Sequence, residues 1–356
     1  MNDKSGYERF SQATPPPHGA HGNTEMLSDA EMSSLHNNRG FFFQLAGDVD
    51  TARQQYELAI SLNRNNPAAL NNLGFLMAQD GANDEAIAMY RRAIASEPDY
   101  ALAHNNLGNA WLARGSVAAA LESYRLALQF DPQHVAAQLN LAQVLHSQGD
   151  LAAARHEYER YLTLKPNDIT GLFQLGTVLF ALKDLDLAAE KFQTILSQDS
   201  THADAWLNLG LLRFCRKDFS SAIECWSKAL ELKPTFSRAR YNLALALLAV
   251  GNTAGAAGEL EQVIQAEPDF VDAINNLGIV NLTCGKYAEA SVQFRQLIAI
   301  DPANPIAHFN LGMALKSLGQ FAEAQAELEE AISNSDENCE RTRRARAMIA
   351  EMAYVH

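Results

Sequence analysis

Eight leucines stand 34 residues apart: Leu73, Leu107, Leu141, Leu175, Leu209, Leu243, Leu277 and Leu311. A small residue follows each one, Gly74, Gly108, Ala142, Gly176, Gly210, Ala244, Gly278 and Gly312. Alanine recurs at Ala86, Ala120, Ala154, Ala188, Ala222, Ala256, Ala290 and Ala324. Four residues later comes a bulky side chain, Tyr90, Tyr124, Tyr158, Phe192, Trp226, Leu260, Phe294 or Leu328. Proline closes most copies, at Pro98, Pro132, Pro166, Pro234, Pro268 and Pro302, with Ser200 and Asp336 in the two remaining cases. An earlier copy keeps Gly40, Ala52 and Tyr56, with Arg39 in the leucine place. A chain with this period is a linear array, because one short unit cannot bury its own apolar stripe and must stack on its neighbours.

The pattern within one copy specifies two helices. Numbering a copy from 1 to 34, apolar places 4, 7, 8 and 11 lie on one stripe of a first helix. The small residue at place 8 lets a second helix approach closely. Pairs such as Gly-Asp and Arg-Gly near places 14 to 16 break the chain between them. Proline at place 32 stops the second helix by pushing the residue before it out of the helical region.

Period, glycine, alanine, aromatic and proline together resemble the tetratricopeptide repeat, a 34-residue helix-turn-helix unit. The resemblance implies an all-α, right-handed superhelical solenoid of nine repeats (33–66, 67–100, 101–134, 135–168, 169–202, 203–236, 237–270, 271–304 and 305–338). Ser28 and Glu31 form a capping-box pattern that starts the first helix near Asp29. Residues 1–27, with Pro15-Pro16-Pro17, read as a disordered tail. Its Tyr7 and Phe10 are expected to reach the solenoid's groove as a self-ligand. Residues 339–356 read as a capping helix. Its apolar stripe is Ala345, Met348, Ile349 and Met352, and its wet face is Arg341, Arg343, Arg344 and Arg346.

Place 6 poses a separate question. It holds Asn38, Asn72, Asn106, Asn140, Gln174, Asn208, Asn242, Asn276 and Asn310, although asparagine is a poor helix-interior residue. On a helical wheel the place lies off the core stripe, with places 2, 5, 9, 12 and 13. The resemblance puts that side on the concave groove. A carboxamide matches a peptide group in donors and acceptors, so a ladder of them is suited to gripping an extended peptide by its backbone. A similar ladder lines the tetratricopeptide arm of O-linked N-acetylglucosamine transferases. The competing reading is that the amides bond within the chain and shape the spiral. Copies 3 and 4 add the polar groove residues Asn105, Asn109, Gln143, His146 and Ser147. Copies 5 to 8 add oily ones: Phe173, Phe180, Leu207, Leu211, Phe214, Tyr241, Leu245, Leu248, Ile279 and Leu282. The candidate peptide-binding set is therefore the ladder from Asn72 to Asn310 with Asn109, Phe173, Phe180, Phe214, Tyr241 and Leu245.

Other functions are disfavoured. The net charge of −14 repels nucleic acid. No apolar run is long enough for a membrane span. The start lacks a secretory signal, and four scattered cysteines suggest no disulfide framework, so a cytoplasmic protein is expected. The histidines fall at scattered places with no metal-ligand spacing, and His18 and His21 are a weak pair. No catalytic motif is present, so neither a cofactor nor an enzymatic activity is expected. The carboxylate clamp for chaperone tails is rejected. Asn109 and Asn140 match its asparagines, but its cation places hold Asn105, Thr170 and Gln174. What remains is a protein–protein scaffold or adaptor for an extended peptide. The alternatives are a recognition or regulatory subunit for an enzyme on another chain, or an assembly or secretion co-chaperone.

Overall fold

The computed structural model describes residues 27–337 and 339–353. They form nineteen α-helices and no strand. The first helix of each copy is odd-numbered: α1 Asp29–Leu45, α3 Pro67–Gln79, α5 Ala101–Ala113, α7 Val135–Ser147, α9 Ile169–Ala181, α11 Ala203–Cys215, α13 Ser237–Ala249, α15 Val271–Thr283 and α17 Pro305–Ser317. The second is even-numbered: α2 Val49–Leu62, α4 Asn83–Ser96, α6 Val117–Phe130, α8 Leu151–Leu164, α10 Leu185–Gln198, α12 Phe219–Leu232, α14 Thr253–Ala266, α16 Tyr287–Ile300 and α18 Phe321–Ser333. α19 spans Glu340–Ala353. The architecture is an all-α repeat solenoid in two compact units, Met1–Ala137 and Gln138–His356. Residues 1–26, which include Tyr7, Phe10, His18 and His21, lie outside the described residues.

Local chemistry sets the helix ends. Ser28 Oγ accepts from the Glu31 amide while the Glu31 carboxylate accepts from the Ser28 amide at 2.8 Å, the capping box expected from the sequence. Asp48, Asn66, Asp150, Asp168, Asp218 and Asn252 cap later helices through side-chain oxygens. Place 15 is left-handed in every copy. Glycine fills it in seven, as at Gly149 (φ 78°), but Lys183 (φ 65°) and Lys217 (φ 62°) fill it in the other two.

The place-8 glycines are contact points. A Cβ on Gly74 would lie 2.9 Å from Tyr90, one on Gly278 2.6 Å from Phe294, and one on Gly312 2.7 Å from Leu328. Trp226 closes on Gly210 in the same way, and its indole N–H donates to the Leu207 carbonyl at 3.1 Å. Side chains buried across these pairs form the core, and Tyr56, Tyr90, Tyr124, Tyr158, Phe192, Trp226 and Phe294 are its largest members. Ala244 takes the glycine's place in the seventh copy, in one core cluster with Leu260.

Place 4 carries a strut that crosses to the preceding copy. His104 Nε2, Trp206 Nε1, an Arg240 guanidinium nitrogen and His308 Nε2 each donate at 2.9 Å to a carbonyl six residues back, on Pro98, Ser200, Pro234 and Pro302. Those carbonyls lie just past the end of an even helix, where no amide of the helix can reach them. Thr342 Oγ1 donates to the Asp336 carbonyl at 2.9 Å in the same register. α19 therefore continues the 34-residue period as the first helix of a tenth copy. Ala345 and Met352 are buried in the last core cluster, with Met348 and Ile349 packed against it. Arg343, Arg344 and Arg346 are exposed, whereas Arg341 is half-buried.

Candidate functional site

Within each unit, neighbouring odd helices approach one another, α1 with α3, α3 with α5, α9 with α11, α11 with α13 and α15 with α17. Place-6 side chains sit on this face, half-buried from Asn72 to Asn310 and exposed at Asn38. In the first unit the amides bond to each other. Asn106 Nδ2 donates to Asn71 Oδ1 at 2.9 Å, Asn71 Nδ2 to Asn72 Oδ1 at 3.3 Å, and Asn72 Nδ2 to Asn37 Oδ1 at 3.0 Å. Asn105 Nδ2 joins the chain through Asn106 Oδ1 at 3.3 Å. Each link from one helix to the next joins place 6 to place 5 of the preceding copy. Asn105, read from the sequence as a groove residue, is buried, because place 5 turns inward far enough for its amide to be enclosed between helices. Asn109 accepts from the Tyr124 hydroxyl at 2.7 Å.

In the second unit place 5 changes chemistry and the chain of amides stops. Phe173 and Leu207 precede Asn208 and Asn242, so neither rung has an acceptor across the gap. Asn208 Nδ2 turns to its own helix and donates to the Asp204 carbonyl at 2.8 Å. The side-chain amides of Gln174, Asn242 and Asn310 make no hydrogen bond among the described residues. Tyr241 restores an acceptor, and Asn276 Nδ2 donates to its hydroxyl at 2.9 Å. Burial and the Asp272 carboxylate raise the phenol's pKa, with the Asn276 hydrogen bond opposing them, so the hydroxyl keeps its proton. The place-5 Asn275 is an exception, since its buried Oδ1 takes no hydrogen bond although Asn310 follows it. Asn140, on α7, is half-buried.

The apolar candidates are rooted in the core with one edge exposed. Phe173 meets Phe192 edge-on at 5.7 Å and stacks on His202 at 5.5 Å. Phe214 packs at 5.7 Å against Trp226, and Tyr241 at 5.1 Å against Phe270. Phe180 and Leu245 are half-buried. Leu207 is a correction: it is only 3 % exposed and belongs to the core around Trp226 and Leu243, not to the groove. Among the described residues no group of three or more His, Cys, Asp or Glu converges to hold a metal ion.

The family comparisons agree with this architecture. Five models described as tetratricopeptide repeat match residues 76–135, 111–172, 203–236, 237–262 and 306–338, and one described as TPR repeat matches 282–319. The chain belongs to the tetratricopeptide repeat family. Its repeats make it a protein–protein interaction scaffold. No curated protein matches it in sequence. Among solved structures, the C-terminal part of a TPR repeat-containing protein from Cytophaga hutchinsonii is 16 % identical, with a TM-score of 0.58. That match covers 67 % of this chain and 98 % of the other. PilF of Pseudomonas aeruginosa is 18 % identical, with a TM-score of 0.52, covering 60 % of this chain and 96 % of the other. YrrB, described as a TPR protein with an unusual peptide-binding site, is 25 % identical with a TM-score of 0.49, covering 52 % of this chain and 95 % of the other. No helix among the described residues is long and apolar enough to cross a membrane.

Proposed function

We propose that the odd-helix face of the second unit binds an extended peptide segment of a protein partner. The observation that carries this reading is the state of the amides at Gln174, Asn242 and Asn310. They are half-buried, Gln174 next in sequence to Phe173 and Asn242 to Tyr241, yet engage no partner among the described residues. An amide offers the donor and acceptor of a peptide group, so each such rung supplies what one residue of an extended backbone needs. The apolar edges between the rungs take side chains by size rather than by charge. In the first unit the same residue type is spent on links between helices, so Asn72 and Asn106 shape that unit. The test is selection of a random peptide library on the intact chain. Neutral, apolar-rich sequences are expected, and their binding should fall with Asn242→Ala and with Leu245→Asp. Selected peptides that are mainly charged, or that bind both variants unchanged, would place the partner on another surface.

A further inference from the structure

Place 2 carries no charge in copies 1 to 5 or in copy 9, but it holds Asp204, Arg238 and Asp272 in copies 6, 7 and 8. These residues stand second in α11, α13 and α15, each four positions before a ladder amide, Asn208, Asn242 or Asn276. Residues four apart share one face of a helix. Asn208 Nδ2 reaches the Asp204 carbonyl, and the Asp272 carboxylate acts on the Tyr241 hydroxyl, so the row of charges runs beside the ladder. All three side chains are exposed, and none forms an ion pair among the described residues. Elsewhere in the second unit opposite charges on neighbouring copies do meet, as Arg155 with Asp184 at 2.7 Å and Arg295 with Glu323 at 3.1 Å. Asp204 and Asp272 suit the positive end of a helix, but Arg238 opposes it in the first turn of α13. Arg240 in the same turn is neutralised by Glu259 at 2.7 Å. Arg238 has no such partner among the described residues, and a residue that works against its own helix points to a function.

We propose that Asp204, Arg238 and Asp272 fix the register of the bound peptide, by receiving a basic, an acidic and a basic side chain at intervals of three residues. The inference rests on peptide binding by the second unit and adds the partner's charge pattern to it. An amide ladder is blind to sequence and repeats at every odd helix, so alone it lets a peptide slip by one rung. Packed helices lie about 8–10 Å apart. A polyproline II backbone advances about 9 Å per three-residue turn and leaves its own amides and carbonyls unbonded. Every third side chain therefore returns to the same side and meets the next helix, while the backbone stays free for the amides. In register, each peptide charge faces its opposite. A slip by one rung sets Arg238 against a basic residue and an aspartate against the acidic one. The opposite charges nearly cancel and the residues between them are apolar, so the peptide stays close to neutral.

The test selects a random peptide library displayed on phage against the intact chain and against Arg238→Glu. That change puts a carboxylate at the positive end of α13 and so keeps the helix. The wild-type chain should enrich sequences with a basic, an acidic and a basic residue three positions apart, and the variant should replace the acidic centre by a basic one. A synthetic copy of an enriched peptide should bind the wild type about tenfold more weakly once its acidic residue is exchanged with the next one, the scale of a few exposed ion pairs. That difference should vanish in about 1 M salt, which screens exposed charges. Enriched peptides that lack the pattern but bind Asn242→Ala less tightly would overturn the register assignment and leave the groove as the binding site. The same charge pattern selected by wild type and by Arg238→Glu would also overturn it. Enriched peptides that bind Asn242→Ala and Leu245→Asp unchanged would overturn the groove and the register together.

Discussion

The Asn276 side-chain amide donates to the Tyr241 hydroxyl at 2.9 Å, across 35 residues and from α15 to α13. It is the second unit's counterpart of the Asn72–Asn37 and Asn106–Asn71 links, with a phenol in place of an amide as acceptor. Tyr241→Phe removes that acceptor and leaves the ring. A net hydrogen bond is worth about 0.5–1.5 kcal/mol, so urea unfolding should report a loss of that size. An unchanged midpoint would mean that the contact contributes nothing to holding α13 and α15 together.

Gly210 and Trp226 test the close approach at place 8. Gly210→Ala introduces a methyl group into the indole ring, an overpacking that costs about 1–3 kcal/mol. In the Trp226→Leu background the same change should cost less, because a shorter, flexible side chain replaces the rigid indole that the methyl group would meet. A double-mutant cycle by chemical denaturation measures the coupling. Additive effects would refute the contact account.

Lys183 and Lys217 hold a backbone conformation that glycine holds in the other copies. Lys183→Gly and Lys217→Gly should each raise stability by about 0.5–1 kcal/mol, since a side chain is strained there and glycine is not. Gly149→Lys should lower it. Thermal unfolding of the three variants checks the order.

His308 makes stability depend on pH. Burial alone would lower its pKa, but the Pro302 carbonyl, the Glu327 carboxylate at 2.6 Å and the charge of Glu330 outweigh burial and raise it. Both ring nitrogens face acceptors, so the imidazolium is the form that satisfies the site. A raised pKa in the folded state means that this stabilisation is complete below the unfolded value of about 6.5. It is lost as pH rises through the higher folded value. The unfolding midpoints of wild type and His308→Gln should therefore differ most between about pH 5 and 6.5 and converge at alkaline pH. A constant gap would show that the proton is not involved.

How much was legible in the sequence depended on whether one residue type did one job. The helix pairs, the capping box at Ser28 and Glu31, and the contact of Gly210 with Trp226 follow from period and size. The place-4 struts did not show, because His104, Trp206, Arg240 and Thr342 share only a reaching donor. Leu207 was misplaced for a different reason. Place 5 sits at the border of the core stripe, and in α11 it packs into the core with Trp226 and Leu243. The split between the two halves of the ladder was also hidden. For Asn72, Asn106 and Asn276 the acceptor is the residue 35 positions earlier, which no single-copy pattern displays.

On the proposed reading Asn72 and Asn106 tie helices together, whereas Gln174, Asn242 and Asn310 bind peptide. The most direct test of that reading compares two double variants, Asn72→Ala with Asn106→Ala and Asn242→Ala with Asn310→Ala. Each is measured for thermal stability and for affinity toward a library-selected peptide by calorimetry. The first pair should lower the melting temperature and leave affinity unchanged. The second should leave melting nearly unchanged, since alanine is the better helix former. It should weaken binding by about 5- to 150-fold, the equivalent of two hydrogen bonds. If instead the second pair melts lower and binds the peptide as tightly as wild type, the amides of both units are struts and the proposed site is wrong.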